Sequence, residues 1–290
     1  MPRIEVLKTY KLFIGGQFPR TESGRYYTLK HKDQMLANMC LASRKDFRNA
    51  VQSARAAFPG WSLRTGFQRS QILYRMAEML EARKAQFEAE LSAMGIPASK
   101  ARQEVQQSID TCVYYSGWCD KYQALYSSVN PVNATFFNFS LPEPMGVISM
   151  VAPEEPALLG LLQLILPAIA GGNTLVILAS EQKALCAITL AEVMASSDLP
   201  GGVVNILSGK SSELHSHFAS HMDVNAIVYA RENVAEEKTI QELSAHNVKR
   251  CILLRSLKKW KAGPERIFEL QEVKTTWHPI ETPIGGGAKY

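Results

Sequence analysis

Three histidines, His215, His217 and His221, fall close enough together to suggest a metal site. His217 and His221 stand four apart, so on a helix both rings could reach one ion. No third ligand follows at a persuasive spacing, and polar neighbours make a solvated helix face the better reading. Five cysteines, at 40, 112, 119, 186 and 251, are the other reactive set. Their odd number, wide spacing and lack of a CxxC pair argue against a disulfide framework or a structural zinc. They suit a reducing compartment. Cys112 and Cys119 lie seven apart on an expected helix, where shared core packing is the anticipated role. Cys251 falls on an expected central strand, where cysteine acts as a small hydrophobe. Gly285, Gly286 and Gly287 have no strand before them and no helix after them, so they read as a flexible tail, not a phosphate loop. Arg255, Lys258, Lys259, Lys261 and Arg266 surround Trp260 in a basic–aromatic patch that reads as an exposed linker.

The elements that must position such residues are those of a globular chain. Of 290 residues, 46% are hydrophobic and 20% charged, enough for one large α/β domain or two small ones. The net charge of +5 is spread along the chain without a basic run, so no nucleic-acid partner is expected. The opening MPRIEVLKTYKLF lacks the apolar core of a signal peptide. The longest apolar stretch, Ala157–Ala170, is interrupted by Gln163 and Pro167. It falls short of the roughly 20 residues that span a bilayer, so it reads as a buried helix. No membrane span and a cytoplasmic location are therefore expected.

Local patterns divide the chain. Phe13 to Phe18 place Gly15 and Gly16 between apolar residues, a hairpin signal for a short opening strand pair. Ser43 and Asp46 make a capping box, after which Phe47, Ala50, Val51, Ala54 and Phe58 recur at helical spacing. Ile72, Met76, Met79, Leu80, Phe87 and Leu91 form a second, longer stripe, and Val105, Ile109 and Val113 a third. Gly95 and Pro97 separate these two helices. Residues 128–144 suit an extended, projecting hairpin. Beyond Gly146, β-prone runs at Val147–Val151, Thr174–Leu178, 203–207, Ala226–Tyr229 and 250–254 alternate with helical segments. Such alternation gives right-handed crossovers and a Rossmann-like parallel sheet with helices on both faces. The residues after 254 are too few for another domain of about 100 residues.

Several segments, in order, resemble the aldehyde dehydrogenase superfamily: LFIGGQF at 12–18 and SRKDFRNAVQSARAAFPGWS at 43–62, with Phe58 and Trp61 in place. EPMGVI at 143–148, LPAIAGGNTLVI at 166–177, SEQ at 180–182 and DLPGGVVNILSG at 198–209 follow. EVKTTW at 272–277 resembles the last strand of these enzymes, which joins a hairpin in their oligomerisation sheet. The resemblance implies an NAD-binding-like domain over 1–254 that carries the hairpin at 128–144. It also implies a linker, terminal oligomerisation strand and flexible tail over 255–290, with the catalytic domain absent. That arrangement is most similar to the truncated second aldehyde-dehydrogenase-like region of aldehyde dehydrogenase family 16.

The same resemblance allows the chemistry to be checked position by position. Aldehyde oxidation needs a cysteine nucleophile, oxyanion donors, a carboxylate base and a bound nicotinamide. Where the family has a Trp-Asn pair this chain has Glu154 and Glu155, which would repel an oxyanion and read instead as a solvated helix N-terminus. The family lysine that grips the adenosine ribose is replaced by Leu178, while Glu181 keeps a position that contacts the same ribose. The family's next glycine pair becomes Arg231 and Glu236. Without glycine the backbone cannot closely approach a pyrophosphate, and Glu232, Glu236 and Glu237 add negative charge; Arg231 is the one group able to pair with a phosphate. Leu254 stands where the general base belongs, and Glu242, on the preceding helix, reads as a surface residue. The nucleophile belongs to the absent domain.

These residues lead to an aldehyde-dehydrogenase-like pseudoenzyme with no catalytic residue, acting as a structural, oligomerisation or regulatory partner. Its partner is expected to be a second copy or an active aldehyde dehydrogenase subunit or domain. No cofactor is expected. The alternative is an NAD(P)-dependent aldehyde oxidoreductase or nucleotide-binding domain that needs residues outside this chain, with NAD or NADP held by Glu181 and Arg231.

Overall fold

The computed structural model describes residues 7–255 and 261–280. Strands β1 (Thr9–Tyr10), β2 (Tyr26–His31) and β3 (Gln34–Cys40) form a small sheet in the order β1-β3-β2. The β2–β3 hairpin carries no simple alternation and was not anticipated. Gly15 and Gly16 do make the expected turn, at φ 63° and 76°. Phe13 then bridges Ile206 of the main sheet, rather than belonging to a longer strand pair. A Cβ on Gly201 would stand 2.5 Å from the Gly15 carbonyl oxygen, so this contact admits only glycine.

Helix α1 (Arg44–Ser62) begins at the anticipated capping box of Ser43 and Asp46. Asp46 also accepts from Thr21 at 2.6 Å, and these bonds hold its carboxyl below its usual range although burial opposes them. At the far end Trp61, 1% exposed, donates to the Ile169 carbonyl at 3.1 Å. The second apolar stripe is split between α2 (Gly66–Ala82) and α3 (Lys84–Ala93), because the helix breaks at Arg83. Both Phe87 and Leu91 still reach the core. Helix α4 (Ala98–Trp118) follows, and here the anticipated face needs correction: Val113 is 44% exposed. Steps of four overshoot a 3.6-residue turn, so after the second step, at Val113, the side chain has rotated off the face. Cys112 and Tyr115 are buried instead.

A short helix α5 (Tyr122–Tyr126) leads into β4 (Ser128–Asn130) and β5 (Phe136–Pro144), the anticipated hairpin. The five-stranded parallel sheet then unfolds in sequence as β6 (Val147–Val151), α6 (Ala157–Ala170), β7 (Thr174–Leu178), α7 (Leu185–Ala195), β8 (Val204–Leu207), α8 (Ser211–Ser220), β9 (Ala226–Tyr229), α9 (Val234–Ala245) and β10 (Arg250–Leu253). Its order is β10-β9-β6-β7-β8, so the chain winds outward from β6 twice, in opposite directions. Alternate side chains of each strand enter two cores. Ile148, Met150, Leu175 and Ile177 face one that contains α2, α4, α6 and α7. Val147, Val151, Val176 and Leu178 face the other, with α1 and α8. Burial on both faces explains why these strands are continuously apolar.

Strand β10 is last in the winding and sits at the sheet edge, so Cys251 is not on a central strand and is only half-buried. After helix α10 (Glu265–Phe268), β11 (Gln271–Pro279) pairs antiparallel with β5 from Gln271↔Pro144 to Pro279↔Phe136. This makes a three-stranded sheet β11-β5-β4 that contains residues 272–277. Buried Asn173 ties it to the body, accepting from Gly146 N–H and donating to the Leu270 carbonyl at 2.9 Å. Among the described residues, no helix is long and apolar enough to cross a membrane.

Candidate functional site

In a doubly wound sheet, ligands enter the crevice where the winding reverses, at the C-terminal ends of the strands. Here that crevice lies beyond β6, between β9 and β7. Arg231, just after β9, fills it. Its Nη1 lies 2.7 Å from Glu181 Oε1 and 2.9 Å from Glu154 Oε1. Its Nε donates to the Ala152 carbonyl at 2.9 Å and its Nη2 to the Ala179 carbonyl at 3.1 Å. The guanidinium thus reaches over the end of β6 to grip β7. Its side chain is 10% exposed.

The structure therefore brings the two anticipated binding residues together, but in contact with each other. Glu154 departs from the expectation of a solvated helix N-terminus. Its carboxylate turns to the segment after β7, accepting from Ser180 Oγ at 2.6 Å and from the Glu181 and Gln182 amides at 3.1 Å. Those amides were unsatisfied donors, which a nearby carboxylate fills. Glu155 pairs with Lys183.

The amides that could hold a phosphate are similarly engaged. Ser211 N–H, at the start of α8, donates to Glu181 Oε1 at 2.5 Å. At the start of α9, Ala235 and Glu236 amides donate to Asn233 Oδ1 at 3.2 and 3.3 Å. Glu236 itself accepts from Ser211 Oγ at 2.5 Å and the Tyr229 hydroxyl at 2.7 Å. Burial, and then Glu236, push the Tyr229 phenol above its usual range. The shallow cleft left over this network is lined by Glu154, Glu181, Glu232, Glu236 and one cation, Arg231. Four carboxylates around one guanidinium disfavour a dianionic pyrophosphate. The Ser211–Glu236 and Ser180–Glu154 links were missed in the sequence, because hydroxyl partners 25 or more residues away carry no local signal.

Other candidates lie apart. His215 Nδ1 meets the Ser211 carbonyl at 2.8 Å, and His221 Nδ1 accepts from the Asp223 amide at 3.2 Å. No group of three or more His, Cys, Asp or Glu among the described residues is arranged to hold a metal ion. Cys112 and Cys119 pack in the core, where burial pushes the Cys119 thiol up to about 12. Cys186 is likewise buried, with its thiol raised. Burial also raises the Cys251 thiol. Glu242 is exposed, near Lys238 at 3.9 Å. Of the basic–aromatic patch, Arg255 pairs with Glu237 at 3.0 Å and Arg266 with Glu269 at 2.7 Å. Lys258, Lys259, Trp260 and the glycines at 285–287 lie outside the described residues.

Residues 22–257 match the model of the aldehyde dehydrogenase family. The chain belongs to that family. Omega-crystallin of Enteroctopus dofleini is 28% identical over 253 residues, which is 85% of this chain and 50% of that protein. Cytosolic 10-formyltetrahydrofolate dehydrogenase of Mus musculus is 32% identical over 84% of this chain and 28% of its own length. Among solved structures, an aldehyde dehydrogenase from Bacillus cereus in complex with NAD+ superposes with a TM-score of 0.81 at 25% identity, over 85% of this chain and 50% of that one. PnpE from Pseudomonas sp. WBC-3 gives a TM-score of 0.81 at 29% identity, covering 86% and 51%. The chain spans at most about half the length of these relatives. Leu178 is fully buried in β7. Leu254 donates its amide to the Tyr229 carbonyl at 2.8 Å and packs against the core.

Proposed function

We propose that this chain is an aldehyde dehydrogenase family pseudoenzyme of the family 16 kind, which works through assembly rather than aldehyde oxidation. One observation carries the reading: Arg231 lies across the nucleotide crevice, bound to Glu154, Glu181 and two strand-end carbonyls. A cofactor would have to break that network and then bind among carboxylates. Calorimetry with NAD and NADP at several hundred micromolar tests this. No saturable heat is expected; saturable binding would overturn the closed-crevice reading.

Residues 1–254 are read as one NAD-binding-like unit and 255–290 as a linker with a terminal strand. The assembly surface is the sheet β11-β5-β4, which exposes Val129, Phe137, Leu141, Val273 and Trp277. Its two outer strands leave backbone groups open to another chain. A second copy or an active aldehyde dehydrogenase subunit is the proposed partner. A monodisperse monomer at tens of micromolar that also ignores full-length family members would overturn this part. A cytoplasmic location is proposed as well, in keeping with the name of the mouse relative; a fluorescent fusion localised elsewhere would refute it.

A second reading has its own support. Because the chain spans about half of its relatives, an oxidoreductase domain completed by residues outside this chain fits the same fold. Restored NAD-dependent turnover on adding the missing portion of a relative would establish it.

A further inference from the structure

We propose that the face formed by the start of α1 and the end of α8 binds an acidic peptide segment of a partner protein, more tightly as pH falls. Arg44 and Arg48 stand one turn apart on α1, both exposed. Among the described residues neither has an ion pair. The neighbouring acids are engaged elsewhere: Glu22 with Lys45 at 2.9 Å and Glu213 with Arg25 at 2.8 Å. Asp46 is buried within the capping box.

Arg44, Lys45 and Arg48 also occupy the positive end of the α1 dipole, where cations are disfavoured. An anion docked there relieves that repulsion, so the placement favours binding over stability of the free chain. Across from them α8 contributes His215 and His217 and its C-cap His221, all half-buried. The two helices meet where Phe47 stacks on Phe218 at 4.1 Å and His221 sets its ring edge-on to Phe47 at 5.6 Å.

The electrostatics of this face are one-sided. Burial lowers the His217 pKa, and Arg44 and His215 lower it further. Burial lowers that of His221 too, with Lys249, Arg48 and Arg44 adding to the effect and Asp223 opposing it. Lys249 itself is buried and bonded to the Ala219 and His221 carbonyls at 2.7 and 2.8 Å. Arg55 adds a further cation, donating to the Asp223 carbonyl and to Asn225. Asp223 is the carboxylate that acts on His221 against these cations, while Glu22 and Glu213 are paired with Lys45 and Arg25. Added carboxylates supply what is missing: they pair bidentately with guanidinium. They also stay ionised between pH 5 and 7, while His217 and His221 gain charge at the acid end of that range. The aromatic rings at the helix contact, Phe47 and Phe218, are buried, so this face lacks the stacking platforms of a single-strand nucleic-acid site. None of Arg44, Arg48, His217 and His221 belongs to the Arg231 network or to the β11-β5-β4 sheet, so the proposal does not rest on the pseudoenzyme reading.

Fluorescein-labelled octaglutamate, followed by anisotropy with the whole chain at low salt, tests the proposal. Because His217 and His221 titrate below the ordinary imidazole value, binding about fivefold tighter at pH 5.0 than at pH 7.0 is expected. The double variant Arg44→Ser, Arg48→Ser should weaken it about tenfold, two exposed charge pairs' worth. A control double variant in the β2–β3 hairpin, Lys30→Ser with Lys32→Ser, should bind as the parent does. Circular dichroism and the thermal midpoint check folding, and octaglutamate should raise that midpoint for the parent but not for the arginine variant. No binding, equal loss in both variants, or tighter binding of polyuridylate or phosphatidylserine vesicles than of octaglutamate would overturn the proposal.

Discussion

Arg231 Nη1 and Glu181 Oε1 stand 2.7 Å apart, joining the segment after β9 to the segment after β7 over the end of the strand between them. Glu154 meets the same nitrogen from the third side. The chain's own charges thus span the crevice between these strand ends.

Replacing Arg231 by alanine leaves two half-buried carboxylates facing each other and two strand-end carbonyls without donors. The expected loss is about 3 kcal/mol, the cost of stranding charges whose partner is removed. Arg231→Lys keeps the charge but not the fork, and should fall between. Urea unfolding measures both. An Arg231→Ala midpoint equal to the parent's would mean that the network is incidental.

Glu104, on α4, is 8% exposed and accepts from the Leu158 and Leu159 amides at 2.8 and 3.3 Å. It caps α6 from another helix, because Pro156 at the cap has no side-chain acceptor. Burial raises its pKa even though these amides oppose the rise. Glu104→Ala should therefore cost about 2 kcal/mol. Glu104→Gln, which keeps an acceptor, should cost less than half as much.

Val248 adopts φ 52°, unusual for a β-branched residue, and is 93% exposed. It closes α9: its amide donates to the Ala245 carbonyl at 3.3 Å and that of Lys249 to the Ser244 carbonyl at 3.0 Å. Glycine is favoured at such a position. Val248→Gly should stabilise the chain by about 1 kcal/mol, read from the unfolding midpoint.

Alkaline pH should weaken the fold, in a window set by two kinds of buried group. The Cys119 thiol is raised to about 12 by burial, and Cys112 and Cys186 are raised as well. Their contribution is whole below the free-thiol value of about 8.5 and is lost as pH rises beyond it. Lys249 runs the other way. Burial lowers it to about 8, so its contribution is present above the free-lysine value of about 10.4 and lost as pH falls through 8. Three thiols outweigh one ammonium, so unfolding midpoints under reducing conditions should decline between pH 8.5 and 9.5. Lys249→Met should decline more steeply, since it lacks the opposing group. A flat profile would show that these residues are not buried as described.

How much of this was legible beforehand can be traced through particular residues. The capping box at Ser43 and Asp46, the strands at Val147–Val151 and Thr174–Leu178 and the buried helix Ala157–Ala170 follow from local spacing and from apolar runs bounded by glycine. Val113 and the edge position of Cys251 did not follow. The first needs the true helical rotation, and the second needs the order of strands, which no single strand encodes.

The sequence alone determined the alternation of strands and helices and the family, because each is written in contiguous segments. It also supplied Glu154, Glu181 and Arg231 as charges at strand ends. Only the tertiary structure decided what they do. Residues 77 positions apart in the chain become neighbours when β9 lies beside β6, and a guanidinium near opposite charges and bare carbonyls pairs with them rather than waiting for a phosphate.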